Sequence, residues 1–409
     1  MKPRIMLTKR PFIRNVLIVA SGTAAAQAVR IALSPIITRL YGPESFGLLG
    51  VFTAIVGIIG PISALAYPIA IVLPKENREA RGLLRLSVYI SFFIATSTLL
   101  LLLLLNNQIA IAFRIVDIAP FLFLIPLVIV FSGLLQVAEQ WLIRTQQFGV
   151  TAKVTIIQAI ILQGGQVGIG LFHPSALVLI ISSVLGQGLK ALMMIVGARR
   201  SLYTESENSC KETASTINLA KKYKDFPIYR APEISISAVS QSLPILLLTS
   251  FFGPASAGFY SIGKTVLNLP TQLIGKAVGD VFYSRISGAA NNNENLSRPI
   301  GKATLVLGAI GILPYGLVIA LGPWLFSFVF GTAWTPAGEY ARWIALWSLF
   351  GFMNRPSVVA LPVLSAQAFH LKYTVFMLIV RVVVLAVGYY VFDSDLVAVA
   401  LFCVSGALL

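Results

Sequence analysis

The sequence predicts an all-α integral membrane protein with about twelve transmembrane helices. Of the 409 residues, 57% are hydrophobic and only 11% are charged, and the mean hydropathy is +0.86. A soluble domain carries about 25% charged residues, so this chain has too few polar side chains to cover a water-soluble globule. Apolar runs of about 20 residues, the length that crosses a bilayer, recur along the whole chain. A β-barrel would show short alternating segments instead.

The apolar runs form two groups of about six, separated by the polar stretch 198–225. This pattern predicts an N-terminal six-helix bundle at 1–197, a cytoplasmic linker at 198–225 and a C-terminal bundle at 226–409. The last run, near 395–409, is short for a spanning helix, and we expect that helix to be short or truncated. The expected spans are 14–38, 46–72, 84–105, 119–139, 150–171, 174–197, 226–250, 257–283, 302–322, 340–365, 372–392 and 395–409.

The basic residues indicate membrane topology. A net charge of +16 could suit a nucleic-acid-binding protein, but most of the lysines and arginines lie at alternate ends of the spans. They cluster before the first span, after the second and around the polar stretch 198–225. This positive-inside bias predicts that the N-terminus and the mid-chain loop are cytoplasmic. We therefore expect no nucleic-acid partner.

Metal and cofactor chemistry has little support in the sequence. Cys210 and Cys403 lie far apart, and neither His173 nor His370 has a cysteine, histidine or carboxylate partner at ligand spacing. Such isolated residues predict neither a disulfide framework nor a metal site. The chain also has no Gly-Lys-Ser/Thr motif for ATP phosphates. We expect no metal and no cofactor.

One short phrase occurs twice in the chain. "YGPESFGLL" spans Tyr41–Leu49 and "FGPASAGFY" spans Phe252–Tyr260, with Gly, Pro, Ser and Gly in register. Each copy falls between the first and second span of its group, so the two groups keep the same orientation. This predicts a parallel repeat whose pseudo-symmetry axis runs along the membrane normal. Such repeats build transporters with the substrate site at the interface of the halves.

Basic residues within spans are the candidate substrate-binding groups, because a charge there is costly and usually faces a bundle interior or a water-filled cavity. Arg30 and Arg355 have no carboxylate neighbour on their own helices. Lys264 could instead extend outward to the membrane surface, and Lys276 could simply be neutralised by Asp280 four residues later. The predicted cavity residues are Arg30, Lys264, Arg355, Arg381, Lys276, Gln27 and Asn268.

Several stretches resemble a known family. "RLYGPESFG", "YKDFPIYRAP" and "LPILLLTSFFGPASAGFYSIGKTVLNLPTQLIGKAVGDVFY" are similar to bacterial polysaccharide (O-antigen-type) flippases. That family belongs to the multidrug/oligosaccharidyl-lipid/polysaccharide exporter superfamily, and the resemblance covers nearly the whole chain. It implies a central cavity that opens to alternate sides of the bacterial cytoplasmic (inner) membrane. It also implies a cargo of undecaprenyl-pyrophosphate-linked oligosaccharide, and transport rather than enzyme activity.

The cationic cavity agrees with that cargo, because guanidinium groups match pyrophosphate oxygens with forked donors. Arg30, Lys264 and Arg355 are the expected head-group contacts. Two alternatives remain: a multidrug-type cation antiporter, which would need a buried carboxylate, and a membrane enzyme of polysaccharide polymerisation or ligation, which would need an acid, base or metal set in an outer loop. Membrane lipids are expected partners. Coupling to H⁺ or Na⁺ and a polysaccharide polymerase partner stay open.

Overall fold

The chain folds into apolar helices. The computed structural model describes residues 9–112, 118–207, 215–272, 282, 286, 295–361 and 367–408, and the regular structure in these ranges is helical. Each of the predicted spans contains helical residues, which confirms the all-α prediction. The α-helices are α1 Lys9–Ile59, α2 Asn77–Ala112, α3 Ala119–Leu122, α4 Ile125–Arg144, α5 Phe148–Gly170, α6 Ala176–Glu207, α7 Thr216–Lys222, α8 Ala231–Phe252, α9 Pro254–Leu267, α10 Ser297–Phe330, α11 Thr335–Met353, α12 Arg355–Ala360, α13 Gln367–Tyr390 and α14 Asp395–Leu408.

Many of these helices are long enough to cross a bilayer. Among the described residues, eight helical stretches combine sufficient length with sufficient hydropathy. They are Ile18–Ile62, Asn77–Leu105, Ala119–Arg144, Phe148–Gly170, Ala176–Arg199, Phe226–Phe252, Ser297–Phe330 and Lys372–Tyr390. The first has 45 residues, enough for two spans, and α14 is a shorter apolar helix of 14 residues. The protein is therefore a multi-pass membrane protein.

A single glycine separates the first two spans. Within α1 only Gly42 leaves helical geometry, with φ 71° and ψ 170°. Gly253, at the same place in the second phrase, has φ 89° and ψ 175° and separates α8 from α9. Glycine adopts positive φ without steric cost. Pro43 and Pro254 follow directly, where a helix start tolerates the missing N–H. The repeated phrase thus encodes the same sharp bend twice.

The second span is interrupted where the sequence predicts a continuous helix over 46–72. Helix α1 ends at Ile59, and two short 3₁₀ helices follow at Gly60–Ile62 and Tyr67–Val72. Between them, Leu65 and Ala66 adopt left-handed conformations with φ 50° and 60°. Pro61 and Pro68 supply no N–H to a helix, which explains why a purely apolar pattern overestimated its length.

Side chains of α4 satisfy the backbone of this interrupted segment. Gln136 Nε2 donates to the carbonyl of Gly60 at 2.8 Å and to Ser63 Oγ at 3.2 Å. Arg144 Nη1 donates to the carbonyls of Ile71 at 3.1 Å and Pro74 at 2.7 Å. Irregular backbone at membrane depth is tolerated only where protein groups or water replace the lost hydrogen bonds. Arg144, the last residue of α4, therefore has a structural role.

The described chain divides into two compact units. The first comprises Met1–Leu40 with Phe52–Ser242, and the second comprises Tyr41–Val51 with Leu243–Leu409. The first phrase therefore packs with the second unit. Its Phe46 ring meets the buried Trp334 ring edge-on, with ring centroids 5.3 Å apart. Large aromatic side chains dominate the core of this unit: Tyr260, Tyr315, Trp334, Tyr340, Phe352 and Phe402.

Within the second unit, the two copies of the phrase pack reciprocally. A methyl group on Gly47 would overlap the carbonyl oxygen of Pro254, and one on Gly258 would overlap the carbonyl oxygen of Pro43. Gly47 and Gly258 occupy equivalent positions in the two copies, as do Pro43 and Pro254. The contact is therefore pseudo-symmetric, with each glycine against the other copy's proline carbonyl. Small residues at such crossings allow membrane helices to approach closely.

We predict that Gly47→Ala and Gly258→Ala each lower the midpoint of thermal unfolding in detergent. The added methyl group meets a backbone carbonyl, which cannot rotate away, and overpacking of this kind costs about 1–3 kcal/mol. The matched control is Gly164→Ala in α5, where a Cβ would find nothing within 4 Å. If Gly258→Ala unfolds at the same temperature as the control, the predicted close packing of the two phrases is contradicted.

Candidate functional site

Arg30 and Gln27 lie together on α1. Arg30 Nη1 donates to Gln27 Oε1 at 3.2 Å, and the arginine side chain is exposed on a helix whose neighbouring positions are mostly alanine, valine and isoleucine. Thr23 Oγ1 bonds back to the carbonyl of Val19 at 2.9 Å. Residues three and four apart share one helix face, so Thr23, Gln27 and Arg30 form a polar stripe. The guanidinium group is thus available outside the core of the first unit.

Lys264 and Arg381 belong to one cluster in the second unit. The Lys264 ammonium lies 5.9 Å from the centre of the Tyr260 ring. The Arg381 guanidinium lies 5.5 Å from the Phe402 ring and 5.6 Å from the Trp347 ring. The Tyr260 and Phe402 rings are themselves in contact, with centroids 6.2 Å apart. Two cations therefore flank a group of aromatic rings contributed by α9, α11 and α14.

Tight packing around Trp347 fixes this cluster. Its ring meets Phe402 edge-on at 5.3 Å, and a Cβ on Gly406 would approach Trp347 Nε1 to 2.7 Å. A cation over an aromatic face contributes about 0.5–2 kcal/mol, more when water is excluded. Arg381 lies among valines on its own helix, so its neighbours in the sequence do not indicate its direction. The structure directs its guanidinium toward Trp347 of α11 and Phe402 of α14, which lie at distant positions in the chain.

Asn268 and Arg355 are the remaining predicted residues that the structure describes. Asn268 is the exposed residue at the end of α9, and its N–H donates to the carbonyl of Lys264 at 3.0 Å. Arg355 is the exposed first residue of α12, where the predicted span 340–365 breaks after Asn354. Pro356 explains the break, because a proline at the start of α12 supplies no N–H to the preceding turn and clashes with its carbonyl. Lys276 lies outside the described residues.

Three carboxylates of the described helices lie near helix ends and have partners. Glu139 accepts from Lys190 at 2.8 Å, and Glu233 accepts from Arg230 at 2.7 Å. Asp395 Oδ2 accepts from the hydroxyl of Ser256 at 2.6 Å, and its Oδ1 accepts from the N–H of Leu396 at 2.7 Å. Asp395 begins α14, and Ser256 belongs to the second copy of the repeated phrase. No local pattern in the sequence indicates this contact, because Ser256 and Asp395 lie 139 residues apart in the chain.

A family model described as "Polysaccharide biosynthesis protein" matches residues 36–339. This match covers most of the chain, and the protein belongs to that family. No curated protein matches the sequence. The expected membership in a polysaccharide-related membrane family is therefore confirmed.

Solved structures share the fold at low sequence identity. Lipid II flippase MurJ in an inward closed conformation has a TM-score of 0.76 at 12% identity, over 95% of this chain and 85% of that chain. A MOP superfamily transporter from Pyrococcus furiosus has a TM-score of 0.57 at 11% identity, over 96% and 94%. A MATE transporter in complex with MaL6 has a TM-score of 0.56 at 12% identity, over 96% and 93%. At these identities the likeness establishes the fold, and it agrees with the predicted superfamily.

We predict that Arg381 and Trp347 are energetically coupled. Arg381→Leu and Trp347→Leu should each lower the unfolding midpoint in detergent, and the double variant should lose less than the sum because both single changes remove the same contact. A coupling of about 0.5–2 kcal/mol is expected. The control pair is Arg381→Leu with Trp324→Leu, since Trp324 is an exposed ring that stacks on Phe328. If the losses of stability simply add in the Arg381/Trp347 pair, as they should in the control pair, then Arg381 and Trp347 do not interact.

Proposed function

We propose that this protein is a flippase that moves an undecaprenyl-pyrophosphate-linked oligosaccharide from the cytoplasmic to the outer leaflet of the bacterial cytoplasmic membrane by alternating access. The observation that carries the proposal is the sign of the charges within the spans. Basic residues occur well inside them, whereas Glu139, Glu233 and Asp395 lie near helix ends and have partners. A pyrophosphate group is the anion that such a set of cations would favour.

The head-group contacts in this proposal are Arg30, Lys264 and Arg355. Arg30 offers a planar fork of N–H donors, which matches two phosphate oxygens at once. Gln27 and Asn268 add amide donors and acceptors that suit sugar hydroxyls. Arg381 and Lys276 belong to the same proposed set. Because Arg381 lies against aromatic rings, we propose that it attracts the anionic cargo by its positive charge and makes no direct hydrogen bond to the phosphates.

The membrane potential would drive such a cargo outward. Moving one negative charge outward across an inside-negative membrane is favourable by about 2.3 kcal/mol per 100 mV. A pyrophosphate head group would therefore gain several times RT without a coupling ion. The proposal keeps the N-terminus and the mid-chain loop in the cytoplasm, as the positive-inside bias predicts. The proposed transporter has two bundles, at 1–197 and 226–409, which the linker at 198–225 joins.

The family and one fold relative support a lipid-linked cargo. The family is described as a polysaccharide biosynthesis family, and the relative with a TM-score of 0.76 is named as a lipid II flippase. A MATE-type fold is equally compatible with cation export, but that activity would need a carboxylate deep in a span. A polymerase or ligase would need an outer acid–base or metal set, which the sequence does not contain. Transport, rather than enzyme activity, is therefore the proposed role, and ion coupling and a polymerase partner stay predictions.

We predict that deletion of the gene in its own host causes undecaprenyl-linked oligosaccharide to accumulate on the cytoplasmic side, and that the intact gene clears it. The measurement is extraction and labelling of the lipid-linked pool, together with surface glycan staining. Normal surface glycan combined with new sensitivity to cationic drugs would overturn the flippase proposal in favour of a multidrug antiporter. Glycan units that reach the outer leaflet but remain unpolymerised would favour a polymerase.

We also predict that Arg30→Glu and Arg355→Glu each abolish export while the protein still inserts at normal levels. A carboxylate at either position would repel the phosphate oxygens instead of binding them. Lys302→Glu serves as the matched charge reversal, because Lys302 is exposed near the start of α10 and belongs to no proposed contact. Full export by Arg30→Glu at normal expression would remove Arg30 from the mechanism, and the same holds for Arg355.

A further inference from the structure

The short helix α7 in the mid-chain segment has two different faces. Leu219 is only 3% exposed and packs into the core of the first unit, where Tyr223 and Phe226 join it. On the other side, Ile217 is 66% exposed, and Lys221 is exposed four residues later on the same face. Residues four apart share a helix face. One face therefore anchors α7 to the protein, and the opposite face carries an apolar residue followed by a cation.

Two polar contacts hold α7 against the first unit. The hydroxyl of Tyr67 donates to the carbonyl of Ala220 at 3.1 Å. Lys222 Nζ donates to both oxygens of Glu79, at 2.7 and 2.8 Å, and this hydrogen bond raises the pKa of Lys222. Glu79 lies in the first turn of α2. These contacts place α7 beside the beginning of a membrane-spanning helix.

A cavity lies between the outer face of α7 and α2. Its volume is about 360 Å³, and it is lined by Leu86, Thr216, Ile217, Ala220, Lys221 and Lys224. The lining of this cavity is largely apolar, and its two lysines, Lys221 and Lys224, are exposed. An apolar lining that includes two exposed cations matches the chemistry of a phospholipid, whose acyl chain and phosphate are joined at the membrane surface.

The face of α2 that contributes Leu86 to the cavity also carries two exposed aromatic residues. Tyr89 and Phe93 follow Leu86 by three and seven residues, so the three side chains share one helix face. Tyr89 is 64% exposed and Phe93 is 74% exposed. Helix α2 forms the candidate span Asn77–Leu105, so this face meets hydrocarbon in a membrane. An acyl chain that lies along Tyr89 and Phe93 would bring its head group to the cavity.

We propose that the cavity between α7 and α2 binds an anionic glycerophospholipid, with its phosphate at Lys221 and Lys224 and one acyl chain along Leu86, Tyr89 and Phe93. Basic pockets at the cytoplasmic ends of membrane helices recognise anionic lipid head groups. The positive-inside bias predicts that α7 lies on that side. A free phosphate ion would gain nothing from the apolar lining, so the proposal commits to a lipid. This site is independent of the proposed cargo, because none of its residues belongs to the proposed head-group contacts.

The test uses the full-length protein purified in detergent and titrated with phosphatidylglycerol, with phosphatidylcholine of the same chains as the neutral comparison. Native mass spectrometry counts the bound lipids. The variant is Lys221→Gln combined with Lys224→Gln. The matched control is Lys75→Gln combined with Lys302→Gln, which removes two exposed positive charges outside the cavity. Both variants have the same net charge, so the comparison separates the cavity from general attraction to anionic lipid.

We expect the wild-type protein and the control to retain one phosphatidylglycerol under conditions that remove phosphatidylcholine. Each lysine near an anionic surface contributes about a fivefold change in affinity, so the cavity variant should bind at least about tenfold more weakly. Ile217→Asn should weaken binding without changing the charge. Equal binding by the cavity variant and the control would overturn the proposal. Displacement of the lipid by millimolar inorganic phosphate, or stronger binding of undecaprenyl phosphate than of phosphatidylglycerol, would overturn the assignment to a phospholipid.

Discussion

The lipid bilayer is the constraint on which the rest of this structure depends. In hydrocarbon no water replaces a missing hydrogen bond, so backbone must be helical or must find partners within the protein. The interrupted second span obeys this rule, because Gln136 and Arg144 of α4 donate to carbonyls that the broken helix leaves open. The same rule makes a charge within a span informative, since only a protein partner, a watery cavity or the membrane surface can accommodate it.

The repeated phrase shows how duplication and packing reinforce each other. Each copy supplies a glycine with positive φ for the bend and a proline for the helix start. Each also supplies a second glycine that lets the other copy's proline carbonyl approach. A substitution in one copy would therefore disturb both its own bend region and its partner. Ser256 adds a further contact, because its hydroxyl holds Asp395 at the start of α14.

The basic residues of the chain serve different physical purposes. Arg144 satisfies backbone carbonyls, and Arg381 lies against aromatic rings. Arg30 has an exposed guanidinium beside Gln27, and this exposure makes Arg30 a stronger candidate for cargo contact than Arg144 or Arg381. Lys221 lines a largely apolar cavity, which suits a lipid head group. Net charge alone distinguishes none of these roles, because each depends on what surrounds the side chain.

The sequence by itself determined the membrane class, the positions of most spans and the internal repeat, because hydropathy and residue identity are local properties of the chain. It also located the basic residues within the spans. Only the tertiary structure decided that the span 46–72 is interrupted and that Arg381 meets Trp347 and Phe402. It likewise brought Gly47 to Pro254 and Ser256 to Asp395. These contacts join residues that are far apart in the chain, and their formation depends on how separate helices pack, which no local pattern records.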